Sequence, residues 1–357
     1  MKTTNLTAAA MTLIVLTALL LICCKEDERS DPAETKDSNG AKTRTLTLAA
    51  YTTPREVYGK KIIPAFKKMW KAETGQDVEF RESYLGSGAQ SRAVLGGFEA
   101  DVVALSLEPD VNRLVDAGLI THDWKAGPGE GMVTTSIVVF GVRKGNPMGI
   151  ATWEDLAGDD LGVLTPNVKT SGGAMWNIAA AYGAATRGHT SARKDEPREV
   201  QELLARILKN VSIMDKGARE SMLTFEHGVG DAIITYENEM RVAAMSGRKE
   251  DYVVPPSTIL IENPAAVVDT YAKRHGVEDL AAAFVEFLLT PEAQAHYVEY
   301  GLRPVVEGVA PDAISGFPEL KDVFTIDDLG GWGQATPTLF GKGAIYDEVM
   351  ERAGELR

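Results

Sequence analysis

The chain has 357 residues, of which 44% are hydrophobic and 25% are charged, so it is long enough to bury the cores of two domains. Its formal net charge of −14 at pH 7 argues against a nucleic-acid partner. The only two cysteines are the adjacent Cys23 and Cys24 near the N-terminus. The folded body therefore has no disulfide, no thiol nucleophile and no cysteine-based metal site.

The N-terminal segment has the profile of a signal peptide. Residues 8–22 form a continuous apolar run, too short for a comfortable transmembrane helix, and charged residues follow it at once. Leu21-Ile22-Cys23-Cys24 resembles a bacterial lipobox, which predicts a signal peptide over residues 1–23 and a lipid on Cys24. An ordinary secretory signal with two incidental cysteines is the alternative. The polar residues 24–44 are predicted to form a disordered tether.

From residue 45 onward, predicted strands alternate with helices. Strands are predicted at residues 45–51, 77–83 and 101–105, and an amphipathic helix follows the first of them. A Gly/Ser turn at residues 84–90 opens a second helix. This alternation predicts an α/β fold with an open, mostly parallel sheet, whose ligands bind beyond the carboxyl ends of the strands.

A Gly/Pro-rich joint at residues 127–131 separates this run of elements from a second, similar run. The later strands are predicted at residues 136–142, 161–164, 211–214 and 232–236, with a return crossing at 252–256. The later helices are predicted at residues 176–182, 198–208, 280–289 (ended by Thr290-Pro291) and 344–356. The restart predicts two lobes. Lobe 1 is assigned residues 45–135 with about 256–310, and lobe 2 residues 136–255 with about 311–357.

The stretch most informative about function is PNVKTSGGAMWN, residues 166–177. It lies between a short strand and a helix, where free backbone N–H groups and the positive end of a helix dipole converge. Its glycines let an oxyanion approach the backbone, and Ser171 adds a hydroxyl donor. The turn is a candidate anion site, although an ordinary N-cap serine would give the same local sequence.

Motifs typical of enzymes are absent from the sequence. It has no G-x-S-x-G elbow, Walker A loop, H-E-x-x-H or paired C-x-x-C motif, and its five histidines lack metal-ligand spacing. In so acidic a chain, acidic pairs such as Asp327-Asp328 are most simply solvated surface or helix caps. We therefore predict no enzymatic activity, no metal and no cofactor.

Several short motifs together resemble the bacterial periplasmic sulfate-binding proteins. They occur in the order and spacing of that family from Thr45 onward, and the run K-T-S-G-G-A-x-W-N is the most specific. The other motifs include Tyr51–Glu56, Gly86–Gly88, Asp215–Arg219, Tyr236–Glu239 and Gly330–Trp332. The resemblance implies a two-lobed type II periplasmic-binding-protein fold. In such a fold each lobe has a mostly parallel sheet flanked by helices, and the lobes close like a flytrap on a desolvated tetrahedral dianion.

The resemblance also implies which atoms hold the ligand. The family uses neutral donors, and the matching positions are the N–H groups of Thr52, Gly172, Gly173 and Ala218, the hydroxyls of Ser87 and Ser171, and the side chain of Tyr236. The implied function is high-affinity binding of sulfate in the periplasm and delivery to the permease of an ABC importer. We also predict a monomer that reaches the membrane only through the lipid on Cys24. Rival interpretations are a protein retuned to phosphate, thiosulfate or molybdate, and an enzyme that hydrolyses esters.

Two positions depart from the family pattern. Thr52 replaces an aspartate that contributes through its backbone, so the donor is kept. Tyr236 replaces a tryptophan, whose indole only donates, whereas a phenol can donate or accept. Sulfate has no proton near neutral pH, but hydrogen phosphate has one and needs an acceptor. We therefore predict weaker selectivity for sulfate over hydrogen phosphate than tryptophan would give; alternatively, Tyr236 donates to sulfate as the indole does.

Overall fold

The computed structural model describes residues 43–309 and 316–357. The predicted signal peptide, Cys24 and residues 24–42 of the predicted tether lie outside these ranges. The first strand begins at Arg44, one residue earlier than predicted. The guanidinium of Arg44 donates to both carboxylate oxygens of Asp279, at 2.7 and 2.5 Å. Because this bidentate hydrogen bonding fixes the side chain of Arg44, Arg44 belongs to the folded body and not to the tether.

A ten-stranded mixed sheet runs through the described residues. Its strands are β1 (Arg44–Tyr51), β2 (Val78–Leu85), β3 (Val102–Ala104), β4 (Met132–Val142), β5 (Val163–Leu164), β6 (Val211–Ile213), β7 (Ala232–Tyr236), β8 (Asp251–Val253), β9 (Ser257–Val267) and β10 (Asp322–Phe324). The main order is β2-β1-β3-β9-β4-β7-β5-β6, with β10 beside β9 and β8 beside β4. Strands β1, β2 and β3 form one parallel group and β5, β6 and β7 another.

Helices pack against this sheet. They are α1 (Arg55–Val57), α2 (Ile63–Thr74), α3 (Ser87–Leu95), α4 (Glu108–Asp116), α5 (Gly172–Thr186), α6 (Pro197–Lys209), α7 (Ala218–Glu226), α8 (Glu237–Met245), α9 (Asp269–His275), α10 (Glu278–Leu288), α11 (Pro291–Glu299), α12 (Gly331–Ala335) and α13 (Ile345–Glu355). Short π-helical segments occupy Tyr58–Ile62 and Thr336–Phe340. Within the described ranges, no helix is both long enough and apolar enough to cross a bilayer.

The long strands β4 and β9 join the two parallel groups. The first part of β4 pairs with β9 and its second part with β7, while the end of β9 pairs with β3, all antiparallel. The predicted return crossing at residues 252–256 is wrong, because β8 pairs only with β4 and the return is made by β9. Pro255-Pro256 separates the two strands, since proline has no N–H to donate to a ladder.

Buried side chains cluster on either side of the joining strands. One cluster, drawn mainly from residues 46–133 and 265–302, packs Phe66 against Phe284 with ring centroids 5.0 Å apart. Another, drawn mainly from residues 138–353, packs Phe140 against Trp153 at 4.8 Å. The two parallel groups of strands therefore each have a core of their own, while the residue limits assigned to the two lobes stay a prediction.

Candidate functional site

A small cavity lies where four helices begin. Helices α3, α5, α7 and α8 have their N-caps at Gly86, Ser171, Gly217 and Tyr236. The cavity has a volume of about 10 Å³ and is lined by Tyr51, Thr52, Thr53, Gly86, Ser87, Ser106, Ser171, Gly172, Gly173, Ala218 and Tyr236. The first N–H groups of a helix have no partner within the helix, so donors and positive dipole ends converge here.

The lining contains every residue predicted from the sequence to bind the ligand, and none of the lining residues carries a charge. A neutral wall of donors can hold an anion through hydrogen bonds and oriented dipoles without a counterion. Its polar side chains are buried, with Ser87 and Tyr236 each 1% exposed. Among the described residues, no group of histidine, cysteine or carboxylate side chains is placed to hold a metal.

At the start of α5, the backbone lies very close to neighbouring side chains. Ser171 occupies the N-cap position but its side chain makes no capping hydrogen bond, so its hydroxyl is not used by the helix. A Cβ atom on Gly172 would lie 2.5 Å from Ser106 Oγ, and one on Gly173 would lie 2.7 Å from Tyr236 Cε2. Both positions therefore require glycine, because neighbouring side chains fill the space that a methyl group would take.

The rest of the same motif positions α5. Trp176 Nε1 donates to Ser106 O at 3.0 Å, and Asn177 Nδ2 donates to Thr165 Oγ1 at 2.9 Å and to Ile234 O at 2.8 Å. These bonds tie the first turns of the helix to the chain just beyond β3 and β5 and to β7 itself. Trp176 and Asn177 thus hold α5 in place without lining the cavity.

Ser87 departs from its predicted role. Its hydroxyl donates to Asp110 Oδ2 at 2.6 Å and accepts from Ser106 N at 2.9 Å. A serine hydroxyl has one hydrogen, so here the group faces the cavity without a donor. Asp110 is itself buried and held by Arg113 Nη1 at 2.8 Å. The donor left to Ser87 is its backbone N–H, at the first residue of α3.

Ser106 lines the cavity but is absent from the residues predicted from the sequence. It follows β3 by two residues, and its Oγ lies 2.6 Å from Tyr236 Oη. A position just beyond the carboxyl end of a predicted parallel strand was the available signal. Burial raises the pKa of Tyr236 well above its usual value, although the bond to Ser106 opposes the shift. The phenol is therefore neutral and protonated near pH 7.

The cation nearest in sequence to the seat is already paired. Arg219 follows Ala218, and its Nη2 lies 2.8 Å from Glu56 Oε2 while its Nη1 lies 3.0 Å from Glu239 Oε2. Burial raises the pKa of Glu239 to about 7, against the opposing effect of Arg219. The guanidinium links the α1 side of the cavity to the α7 side and is not a lining residue.

Direct contacts close the cavity beside α3. Ala89 N donates to Thr170 O at 3.2 Å, and Arg92 Nη2 donates to Lys169 O at 2.8 Å. A Cβ atom on Gly86 would lie 2.5 Å from Thr170 O. The start of α3 therefore meets the backbone of the turn before α5 beside Gly86, which lines the cavity.

Residues 46–303 match the family described as bacterial extracellular solute-binding protein. This chain belongs to that family. This chain is 44% identical to a sulfate-binding protein of Synechococcus elongatus over 309 residues, which is 86% of either chain. It is 38% identical to a sulfate-binding protein of Escherichia coli over 317 residues, 87% of this chain and 94% of the relative. A thiosulfate-binding protein of Pseudomonas aeruginosa is 33% identical over 310 residues, 85% and 91% of the two chains.

Solved structures give the same result for the fold of this solute-binding protein. The sulfate-binding protein SubI from Mycobacterium tuberculosis aligns with a TM-score of 0.74 at 37% identity, over 83% of this chain and 99% of that one. A periplasmic thiamin-binding protein aligns with a TM-score of 0.66 at 14% identity, over 90% and 99%, a likeness of fold alone. The predicted resemblance and the predicted α/β, type II periplasmic-binding-protein fold are both confirmed.

Proposed function

We propose that this protein binds sulfate outside the inner membrane and delivers it to the permease of an ABC-type importer, with no catalytic step of its own. The observation that carries the proposal is the neutral cavity at four helix N-termini, which includes every residue of the predicted anion seat. Relatives named sulfate-binding proteins, each aligned over most of this chain, support the choice of sulfate.

The donors of this seat suit a dianion. Gly172, Gly173 and Ala218 stand at the first turns of α5 and α7, and Ser171 adds a hydroxyl that the helix does not use. Hydrogen bonds to a charged group contribute about 1.5–3 kcal/mol each. Several are needed together, because stripping water from a doubly charged ion is costly. The small volume favours a compact tetrahedral ion over an organic ester.

Calorimetric titration of the purified protein with sulfate, thiosulfate, phosphate and molybdate tests the proposal. We expect sulfate to bind most tightly, and Ser171→Ala to weaken it by roughly tenfold or more, since one charge-assisted bond is lost. Ser246→Ala, which removes an exposed hydroxyl at the end of α8, is the matched control and should bind as the wild type does.

Two results would reject sulfate as the ligand. One is the absence of sulfate heat together with an unchanged thermal midpoint in its presence. The other is tighter binding of thiosulfate, the ligand named for one group of relatives. Hydrolysis of a sulfate or phosphate ester by the pure protein would instead support the alternative interpretation, an ester-hydrolysing enzyme.

We further propose that the chain acts as a monomer in the periplasm, held to the membrane by a lipid on Cys24. The apolar run at residues 8–22 and the Cys23-Cys24 pair support this placement, and the family is one of extracellular proteins. The proposed lobes, residues 45–135 with 256–310 and 136–255 with 311–357, would close around the anion. The crossing of β4 and β9 between two parallel groups supports this division.

A further inference from the structure

Two buried hydroxyl groups meet in the wall of the cavity. Ser106 Oγ and Tyr236 Oη are 2.6 Å apart, and both residues are 1% exposed and line the cavity. We propose that this pair enables the cavity to bind a singly protonated tetrahedral oxyanion, such as hydrogen phosphate, alongside a fully deprotonated one. The inference rests on the proposed function, because it concerns the ligand class of the same seat.

Ser106 is held in place independently of Tyr236. Its N–H donates to Ser87 Oγ at 2.9 Å, and its carbonyl accepts from Trp176 Nε1 at 3.0 Å and from Asn263 Nδ2 at 3.1 Å. Since both backbone polar groups are bonded, the hydroxyl is the one polar group of this residue left to face the cavity and Tyr236. A hydroxyl on so fixed a backbone is pre-organised for a ligand.

The pair lies directly over the start of α5. A Cβ atom on Gly172 would lie 2.5 Å from Ser106 Oγ, and a Cβ atom on Gly173 would lie 2.7 Å from Tyr236 Cε2. The two glycines thus make room for the two hydroxyl-bearing side chains. An anion seated on the N–H groups of Gly172 and Gly173 therefore lies within the same small volume as the pair.

The hydroxyl pair of Ser106 and Tyr236 can both donate and accept a hydrogen bond in the cavity. Two hydroxyls carry two hydrogens, of which one lies between the oxygens and one is free for the cavity. The oxygen that gives its hydrogen to its neighbour keeps its lone pairs, so the pair presents one donor and one acceptor together. Rotating both hydroxyls exchanges these roles at no cost in bonds. Hydrogen phosphate has bare oxygens as well as one O–H, so it can use both the donor and the acceptor of the pair. Sulfate uses only the donor.

Ser87 adds a second acceptor to the same wall. Its hydrogen lies on Asp110 and one lone pair takes the N–H of Ser106, so its oxygen has a further lone pair. A cavity of donors alone excludes a protonated anion, because a buried O–H without a partner is costly. In this cavity the O–H has a partner at the Ser106–Tyr236 pair, next to Ser87.

Removing the Ser106 hydroxyl tests the pair. Titrations with sulfate and with inorganic phosphate would be run at a mildly alkaline pH, where phosphate is mostly singly protonated, on the wild type, Ser106→Ala, Tyr236→Phe and Ser136→Ala. In Ser106→Ala the remaining phenol hydrogen turns to the anion. We expect phosphate affinity to fall by roughly tenfold or more and sulfate affinity to change by less than about threefold. Tyr236→Phe should also lower the affinity for phosphate relative to sulfate.

The control is Ser136→Ala, which removes a buried hydroxyl that has no hydrogen-bond partner and does not line the cavity. It should leave both affinities unchanged. Wild-type protein that binds sulfate but not phosphate, or a Ser106→Ala variant that loses both anions equally, overturns the inference and leaves the proposed function standing. Binding of neither anion by the wild type rejects both. If Ser106→Ala does not fold, the ratio measured for Tyr236→Phe decides.

Discussion

Replacing Gly172 with alanine puts a methyl group where the two sides of the cavity touch. The new carbon would lie 2.5 Å from Ser106 Oγ, 2.7 Å from Ser106 Cβ and 2.9 Å from Leu107 Cγ. Ordinary contacts between such atoms are about 3.5–4.0 Å, so the neighbours would have to move away by roughly 0.6–1.5 Å. Ser106 and Leu107 follow β3 whereas Gly172 begins α5, so the retreat separates the two sides.

The cost of that separation sets the expected effect. Overpacking of a well-packed site costs about 1–3 kcal/mol. If the clash is relieved by opening the cavity, this energy is lost from sulfate binding, which should weaken by roughly 5–150-fold. The thermal midpoint without sulfate should change little, because an open cavity has no clash. The stabilisation of the midpoint by sulfate should shrink in step with the affinity.

Calorimetry and thermal unfolding with and without sulfate measure both quantities. Gly354→Ala is the matched control, because a Cβ atom on that residue of α13 has no neighbour within 4 Å. Sulfate affinity in Gly172→Ala within threefold of the wild-type value would refute the reasoning. A large fall in the thermal midpoint of the ligand-free protein would also refute it, because the clash would then be present in the absence of sulfate as well.

Two other predictions concern pH and the N-terminus. Glu239, with a pKa raised from 4.5 to about 7 by burial, holds a proton in the native state that the unfolded chain has lost, so stability should fall as the pH rises from about 4.5 to 7. This contribution is about 3 kcal/mol, and Glu239→Gln should remove it from urea-unfolding curves measured between about pH 5 and 8; an unchanged slope would contradict the assignment. Mass spectrometry of the membrane-extracted protein should find a lipidated N-terminus at Cys24, and an unmodified mature chain that starts elsewhere would contradict the anchor.

Features with a local cause could be predicted from the sequence. The strand at residues 45–51 and the Gly/Ser turn before α5 follow from short runs of apolar and turn-forming residues, and both are observed. Thr290-Pro291 ends α10 as predicted. The same pair also begins α11, where Thr290 Oγ1 accepts from Ala293 N at 3.2 Å, so one signal of this kind can serve two helices.

Features with a distant cause could not be predicted. Strand β9 contains Glu262-Asn263-Pro264, which favours a turn, yet Pro264 lies where the pairing with β4 shifts register. Asn263 is buried there, and its Oδ1 accepts a hydrogen bond from Tyr51 Oη at 2.9 Å. The partner of Ser106 is 130 residues away, and the hydroxyl hydrogen of Ser87 is directed to Asp110, 23 residues on, and not to the cavity. No periodicity in the sequence encodes either pairing.

The proposed specificity of this cavity therefore depends on a pair of residues and not on Tyr236 alone. Tyr236 fills the space above Gly173 and ends 2.6 Å from Ser106 Oγ. A tryptophan at position 236 would bring a larger ring into that space and meet the Ser106 hydroxyl, whose backbone is held by three hydrogen bonds. Exchanging Tyr236 alone would thus combine a clash with a change of donor. Ser106→Ala separates the two effects, since it removes the acceptor without adding an atom to the cavity.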